Sequence, residues 1–490
     1  MFFYLRHLIH TIGIMFVNLK RKETQRIVVF LAVVSLLCII GLILSNLRST
    51  TSSKQNPVLT DSGVLSKYYW GSKVDKAIPT TNALATFSYT EREAGDLTYI
   101  SDASGVRLAP TFPVLGDGST VMNWDVTGFD FSKDCVLKAT YFRYNNTVYF
   151  GVGGSGPFSN GFASTNNSIV FVLEKTNLSG FRNNGNTVGA VTSTANTDYV
   201  DYSNYLMGIS IELRTFANGR KIIMYHGNHG FVLNAYNISG WTPGGSHMCV
   251  GVDFLNLESQ DMRLSYISLK NIPAQQQGIY CWDAAADGEP VSDAVATVSY
   301  TTNDAGYPKF TDASLGMQLT RSVTSKNAQI HWELASFDFG DKDFRLTWTF
   351  DQSHAETTGQ GISFGIGGSA AFSSTYNTTN GGLSFRNQTA NRESVWYING
   401  VQQGDFLPYQ ELGLLANFNK RNILCVLEVR TYDGKRRATV FYGMSGFVHN
   451  AIDISSWTPA GRFFFIGAQN GSAAANAGEN YVRFCSLEYI

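Results

Sequence analysis

The sequence predicts an all-β protein, two tandem sandwiches made from one duplicated unit and set behind an N-terminal transmembrane helix. Three observations carry that expectation. A series of short motifs occurs twice in the same order. The repeated segments alternate apolar and polar residues between Gly- and Asn-containing turns. One long uncharged apolar run stands near the N-terminus, unlike anything after it.

The elements follow in chain order. The chain has 490 residues, 44% hydrophobic and 15% charged, which is far from a disordered composition and enough for several cores. Its net charge of −1 lacks the basic surplus of a nucleic-acid binder, so no nucleic-acid partner is expected. Residues 1–26 form a cytoplasmic segment. Residues 27–47, "IVVFLAVVSLLCIIGLILSNL", contain no charge and are long enough to cross a bilayer core of roughly 30 Å as a helix. A cleaved signal peptide would have a shorter apolar region, of about 7–15 residues, so the run reads as an uncleaved anchor. Arg6, Lys20, Arg21, Lys22 and Arg26 precede it, and only Arg48 and Lys54 follow closely. The positive-inside bias therefore leaves the N-terminus in the cytoplasm and the rest extracellular, lumenal or on a virion surface. Residues 48–67 read as a polar stalk, opening with the Ser/Thr-rich "RSTTSSKQNP".

The repeat begins after the stalk. "ATFSYT" at Ala85 returns as "ATVSYT" at Ala296. "FDFSKDCVLKATYF" at Phe129 returns as "FDFGDKDFRLTWTF" at Phe337, and "FGVGGS" at Phe150 as "FGIGGS" at Phe364. "GFVLNAYNISGWTP" at Gly230 returns as "GFVHNAIDISSWTP" at Gly446. The offset drifts between 208 and 216 positions, as small loop insertions would make it do. This places copy 1 at residues 68–272, a Pro- and Gln-containing linker at 273–278 and copy 2 at 279–490. "SIELRTF" and "VLEVRTY" alternate strictly, the mark of half-buried strands. "ANGRK" and "YDGKR" follow them with the Asn-Gly and Asp-Gly pairs of tight hairpins. Many short strands with such turns fold as a two-sheet sandwich or jelly roll.

These segments resemble a known superfamily. "FDFGDKDFRLTWTF" looks like the opening strand pair of concanavalin A-like (laminin G-type) sandwiches. "VWYINGVQ" (Val395 to Gln402) resembles a hairpin common there, and "FIGAQNG" followed by "VRFCSLEYI" resembles the closing strands. The resemblance spans most of both copies and implies tandem concanavalin A-like jelly rolls. It leaves function open, because the superfamily holds lectins, adhesion modules, glycosidases, lyases and virion proteins.

The chemistry is sparse. A glycosidase of this fold needs paired acids about 5 Å apart on one strand face. No Glu-x-Asp-x-Glu run exists, and Asp253 and Glu258 fall on opposite faces of a regular strand. "QIH" (Gln329 to His331) and "EVR" (Glu428 to Arg430) resemble two motifs of jelly-roll alginate lyases, but in reversed order. No catalytic residues are assigned, and the chain is not expected to be an enzyme. No cofactor is expected either. Asp253, Glu258 and Asp261 are the one oxygen cluster suited to Ca²⁺, and they lack EF-hand spacing. Cys135, Cys249, Cys281, Cys425 and Cys485 are odd in number, match no zinc pattern and read mainly as buried small hydrophobes.

The candidate ligand-binding residues are therefore Trp241 and Trp457 of the repeated Trp-Thr-Pro loop, with Glu212, Arg214, Glu428 and Arg430. Each tryptophan either stacks on a sugar ring or anchors its own turn. The Glu/Arg pairs either bond across strands or line a ligand surface. Sequons stand at Asn145, Asn166, Asn177, Asn237, Asn377, Asn387 and Asn470. The expected function is membrane-anchored surface recognition or adhesion, directed at a glycan or protein ligand, with an oligomer compatible. A membrane-tethered viral coat or spike protein is one alternative. A polysaccharide-active enzyme with an unrecognised site is the other.

Overall fold

The protein is described from a computed structural model. The described residues are 66–490, apart from 92–95, 102–103, 109–117, 145–146, 160–164, 175–177, 194–206, 227–230, 255–260, 341, 353–360, 374–377, 389–392, 409–422, 443–446 and 471–478. The expected cytoplasmic segment, the transmembrane run 27–47, Cys38 and nearly all of the stalk lie outside them. Among the described residues no helix is long and apolar enough to cross a membrane. The two helices among the described residues, Ser72–Asp75 and Ala284–Asp287, have four residues each.

Everything else regular is strand, and it forms four antiparallel sheets. Residues 66–271 supply an eight-stranded back sheet in the order Phe231–Asn237, Gly219–His226, Met207–Phe216, Cys135–Tyr144, Asp261–Asn271, Gly105–Arg107, Thr98–Ser101, with Ser66–Gly71 also on Asp261–Asn271. They also supply a seven-stranded front sheet, Asn186–Ser193, Leu178–Asn183, Ile169–Leu173, Thr147–Gly154, His247–Phe254, Gly118–Val126, Ala85–Thr90. Residues 278–489 repeat this plan strand for strand. Their back sheet runs Phe447–Asp453, Lys435–Tyr442, Ile423–Tyr432, Phe344–Gln352, Asn480–Tyr489, Gly316–Thr320, Lys309–Asp312, with Gly278–Asp283 on Asn480–Tyr489. Their front sheet runs Val401–Pro408, Glu393–Ile398, Leu383–Gln388, Gly361–Gly368, Phe463–Gln469, Asn327–Leu334, Ala296–Thr302.

Strict alternation decides the faces. Ile211 and Leu213 point into the first core with Leu137, Trp124 and Phe150, while Leu427 and Val429 point into the second with Leu346, Trp332 and Phe364. The aromatic content goes into these cores. Trp124 donates its indole N–H to Tyr68 Oη at 2.7 Å, and Trp332 does the same to Tyr280 Oη at 3.1 Å. The five described cysteines are buried and unbonded to one another.

The turns follow backbone chemistry. Asn399-Gly400 and Asp433-Gly434 adopt positive φ at both positions, as two-residue hairpins favour. The first-half hairpin differs from the Asn-Gly reading. Phe216 pairs with Gly219, so Ala217 and Asn218 form the loop and the glycine opens the next strand. One rim strand of each front sheet is bracketed by a hydroxyl. Phe87 N–H donates to Thr81 Oγ1, which donates back to Phe87 O; Ser292 does the same at Val298.

The two sandwiches pack back sheet to back sheet. Phe216, Ile223, Tyr225 and Ala235 of the first meet Cys281, Leu424, Val426 and Phe484 of the second in a separate apolar cluster. The layers therefore stack front, back, back, front.

Candidate functional site

Three places hold the polar residues with chemistry. The first is the seam between the back sheets. Alternation turns Glu212, Arg214, Glu428 and Arg430 away from the cores, and here that side is covered by the other half. Arg430 Nε lies 2.8 Å from Glu428 Oε2, and Glu428 Oε1 lies 2.6 Å from Arg345 Nη2. Arg345 Nη1 reaches Glu488 Oε1 at 3.1 Å, and Glu488 Oε2 lies 2.5 Å from Arg214 Nη2 in the first half. Arg214 also donates to Gln276 O at 2.7 Å. The result is one chain of alternating charges crossing the seam, with Glu212 beside it facing Lys138 and Arg345. Burial opposes charge on Arg214, yet Glu488, Glu212 and Asp134 hold its guanidinium above its ordinary pKa. Burial also works to raise the Glu428 carboxyl, but hydrogen bonds from Arg430 and Arg345 and their charges bring it below its usual value. Lys221 bonds Asp287, and Asn218 exchanges two hydrogen bonds with the Cys281 backbone, extending the contact along the seam.

The second place is the repeated Trp-Thr-Pro loop. Gly153 and Gly367 have φ of +75° and +72°, and a Cβ on either would sit 2.6 Å from the ring of Trp241 or Trp457. The indole N–H donates to Asn167 O in the first half and to Gly381 O in the second, both at 3.0 Å. Gly244, Gly245, Ala460 and Gly461 donate backbone N–H groups to the carbonyls of the same two glycines. The "FGVGGS" and Trp-Thr-Pro motifs are thus two sides of one contact. Trp457 is 7% exposed; Trp241 is half-buried with Arg220 over its ring.

The third is the outward face of the front sheets, which the sequence reading did not single out. Matching registers align it residue by residue. In the first half one row reads Val121, Gly251, Tyr149, Val172, and the next reads Asn123, Cys249, Gly151, Val170. In the second half these rows read Gln329, Gly467, Ser363, Arg386 and His331, Phe465, Gly365, Ser384. The first face is an apolar cluster with Phe158 packed on it; the second mixes polar side chains with Phe465, on which Phe372 packs with ring centroids 4.5 Å apart. Asn123 donates to Phe158 O at 3.1 Å and accepts from Phe158 N at 2.8 Å. His331, in the same position, bonds Phe372 O at 3.0 Å through Nε2, and its ring lies parallel to Phe372. Burial pushes the imidazole down to about 4, against the opposing pull of the Phe372 and Ser299 carbonyls. The two lyase-like motifs do not converge. Gln329 and His331 are on the front sheet, and Glu428 and Arg430 lie in the seam beyond the core.

The remaining candidates are scattered. Asp253 is at the far end of the first front face, where burial pushes its carboxyl up to about 7 while Arg182 pulls it down. Among the described residues no three His, Cys, Asp or Glu side chains gather as a metal-binding group, and Glu258 lies outside those residues. Of the sequons, Asn145, Asn177 and Asn377 also lie outside. Asn237 is exposed. Asn166 donates its amide to Gly156 O, Asn387 is buried, and Asn470 is buried with its amide donating to Arg321 O and Val323 O.

No protein-family profile and no curated protein sequence matches the chain. Solved structures do. Lectin II from Ulex europaeus is 11% identical, with 39% of this chain and 92% of that chain covered and a TM-score of 0.28. Arcelin-5, a lectin-like defense protein from Phaseolus vulgaris, is 9% identical over 44% of this chain and 99% of its own, with a TM-score of 0.33. The exoplasmic/lumenal domain of VIP36 is 15% identical over 41% and 89%, with a TM-score of 0.30.

Proposed function

We propose that the chain is a membrane-anchored recognition protein, non-catalytic, that displays two tandem concanavalin A-like sandwiches and binds glycans at a cell or virion surface. Its N-terminus lies in the cytoplasm, residues 27–47 span the bilayer, and the sandwiches arose by duplication of one unit. The observation that carries the reading is the seam. Both back sheets are spent on each other, so a partner binds outside the seam. The missing paired acids argue for recognition over hydrolysis. The anchor rests on the uncharged run and its flanking charges.

The test is a glycan array probed with the detergent-solubilised full chain. Reproducible binding to a defined oligosaccharide is expected. A blank from folded protein rejects the glycan reading and turns attention to a protein ligand, or to a coat role if the chain forms a regular oligomer.

A further inference from the structure

Of the sequons, Asn166, Asn237, Asn387 and Asn470 lie among the described residues. A sequon can carry a sugar only where the fold leaves the asparagine at the surface. Asn387 is 4% exposed and Asn470 1%, and the Asn470 amide is spent on the Arg321 and Val323 carbonyls. A glycan at either would displace packed protein. Asn166 belongs to the fold. Its amide donates to Gly156 O at 2.9 Å, and its side chain packs on Gly154. Asn380 makes the same two contacts in the second half, with Ala370 O and with Gly368, and two glycines follow it in place of a hydroxyl residue. The asparagine is thus kept where no sequon exists.

Asn237 differs on each point. It is exposed, at the last position of the edge strand Phe231–Asn237. Its Oδ1 accepts the Ser239 N–H at 2.9 Å, and among the described residues its amide nitrogen donates to nothing. Ser239 Oγ accepts the Arg220 N–H at 2.9 Å, and Ile238 between them is 1% exposed, so the turn is held at both ends of the motif. The second half repeats this turn with Asp453. The Ser455 N–H donates to Asp453 Oδ1 at 3.0 Å, and the Arg436 N–H donates to Ser455 Oγ at 2.9 Å. The turn therefore needs only a side-chain oxygen as acceptor, which either residue supplies. The amide nitrogen of Asn237 is surplus to the fold.

We infer that Asn237 is an N-glycosylation site, used in the first sandwich alone. The co-reactant is an oligosaccharide carried on a lipid diphosphate. The Asn237 amide nitrogen forms a C–N bond to the anomeric carbon of that sugar. The C–O bond to the diphosphate breaks, the lipid diphosphate leaves as an anion, and the amide gives up one proton. The Asp453 carboxylate has no nitrogen to offer, so the second copy keeps the turn without the sugar. The inference rests on the extracellular or lumenal placement of the sandwiches.

The experiment expresses the full chain in a host that N-glycosylates its secreted proteins, isolates the folded fraction in detergent, and maps glycopeptides by mass before and after enzymatic removal of N-glycans. Asn237 is expected to carry a glycan, and Asn166, Asn387 and Asn470 to carry none. Asn237→Asp, which copies the second half, is expected to fold and to lose the mass of one glycan. Asp453→Asn places an acceptor in the exposed turn of the second half, and is expected to gain one. A bare Asn237 beside any other occupied sequon overturns the site and leaves the placement of the sandwiches standing. No glycan at any sequon overturns the site and that placement together. A glycan on Asn387 or Asn470 in the folded chain, or a folded Asp453→Asn chain without the gain, overturns the exposed turn as the feature that selects Asn237.

Discussion

Asn123 and His331 occupy corresponding positions in two sheets of the same strand plan, and each holds a phenylalanine segment against the outward face. Asn123 does so with a reciprocal pair of hydrogen bonds to Phe158. His331 uses one hydrogen bond and a parallel ring. The amide never titrates, whereas the imidazole does. The rows around them diverge further, from Val, Tyr and Cys to Gln, Ser and Phe. Core positions behind these rows barely change: Trp124 and Trp332, Phe150 and Phe364, Val250 and Ile466 face the same cores. The two halves therefore keep their cores alike and differ on the outward face of one sheet.

That comparison can be broken in three ways. The largest effect is expected at its shared base. Trp124→Ala and Trp332→Ala should each cost about 3–5 kcal/mol, since each deletes a fully buried indole. Equal shifts of the chemical unfolding midpoint would show that the cores remain equivalent; a twofold difference would show that divergence has reached them. The seam comes next. Glu488→Ala leaves Arg214 and Arg345 without a shared carboxylate, and breaking such a buried pair costs about 3 kcal/mol or more. Unfolding should then separate into two transitions, one for each half; a single sharp transition would mean that the apolar seam alone couples them. The smallest effect sharpens the Asn123–His331 contrast. The folded His331 pKa is depressed to about 4, against an ordinary value near 6.5. The unfolded chain therefore takes up a proton first as pH falls. Stability conferred by neutral His331 is complete above about 6.5 and declines toward 4, with about 2 kcal/mol lost between pH 7 and pH 5. His331→Asn, which copies the first half, should remove that part of the slope in denaturant midpoints measured at the two pH values. An unchanged slope would place the titration elsewhere.

Much of the fold was legible because β-structure writes a period of two into the sequence. Ile211 and Leu213 against Glu212 and Arg214 specify a face wherever the strand ends up, and Asp433-Gly434 specifies a hairpin. What covers that polar face was not legible. Glu488 lies 274 positions from Arg214, and nothing local in "ELRTF" marks it as one side of a seam. The Trp-Thr-Pro loop was legible as a repeat, but its partner was not, because the demand comes from a left-handed glycine in a distant strand. The front face was missed although its signal was present. Where two copies align well, the informative positions are those whose polarity class switches, such as Val121 to Gln329 and Tyr149 to Ser363. Attention to what both copies keep passes over them. The segments that join strands around Asp253, and the chain before residue 66, lie outside the described residues, so the expected anchor stands on its sequence pattern.

The hydroxyls of Thr81 and Ser292 have a consequence at high density. An open strand edge is a template for stacking copies of a chain into fibrils. Each of these hydroxyls occupies both the N–H and the C=O of its rim strand at one residue. It interrupts the template midway along a strand of six or seven residues. At high local concentration these two rims therefore offer no uninterrupted edge for strand addition.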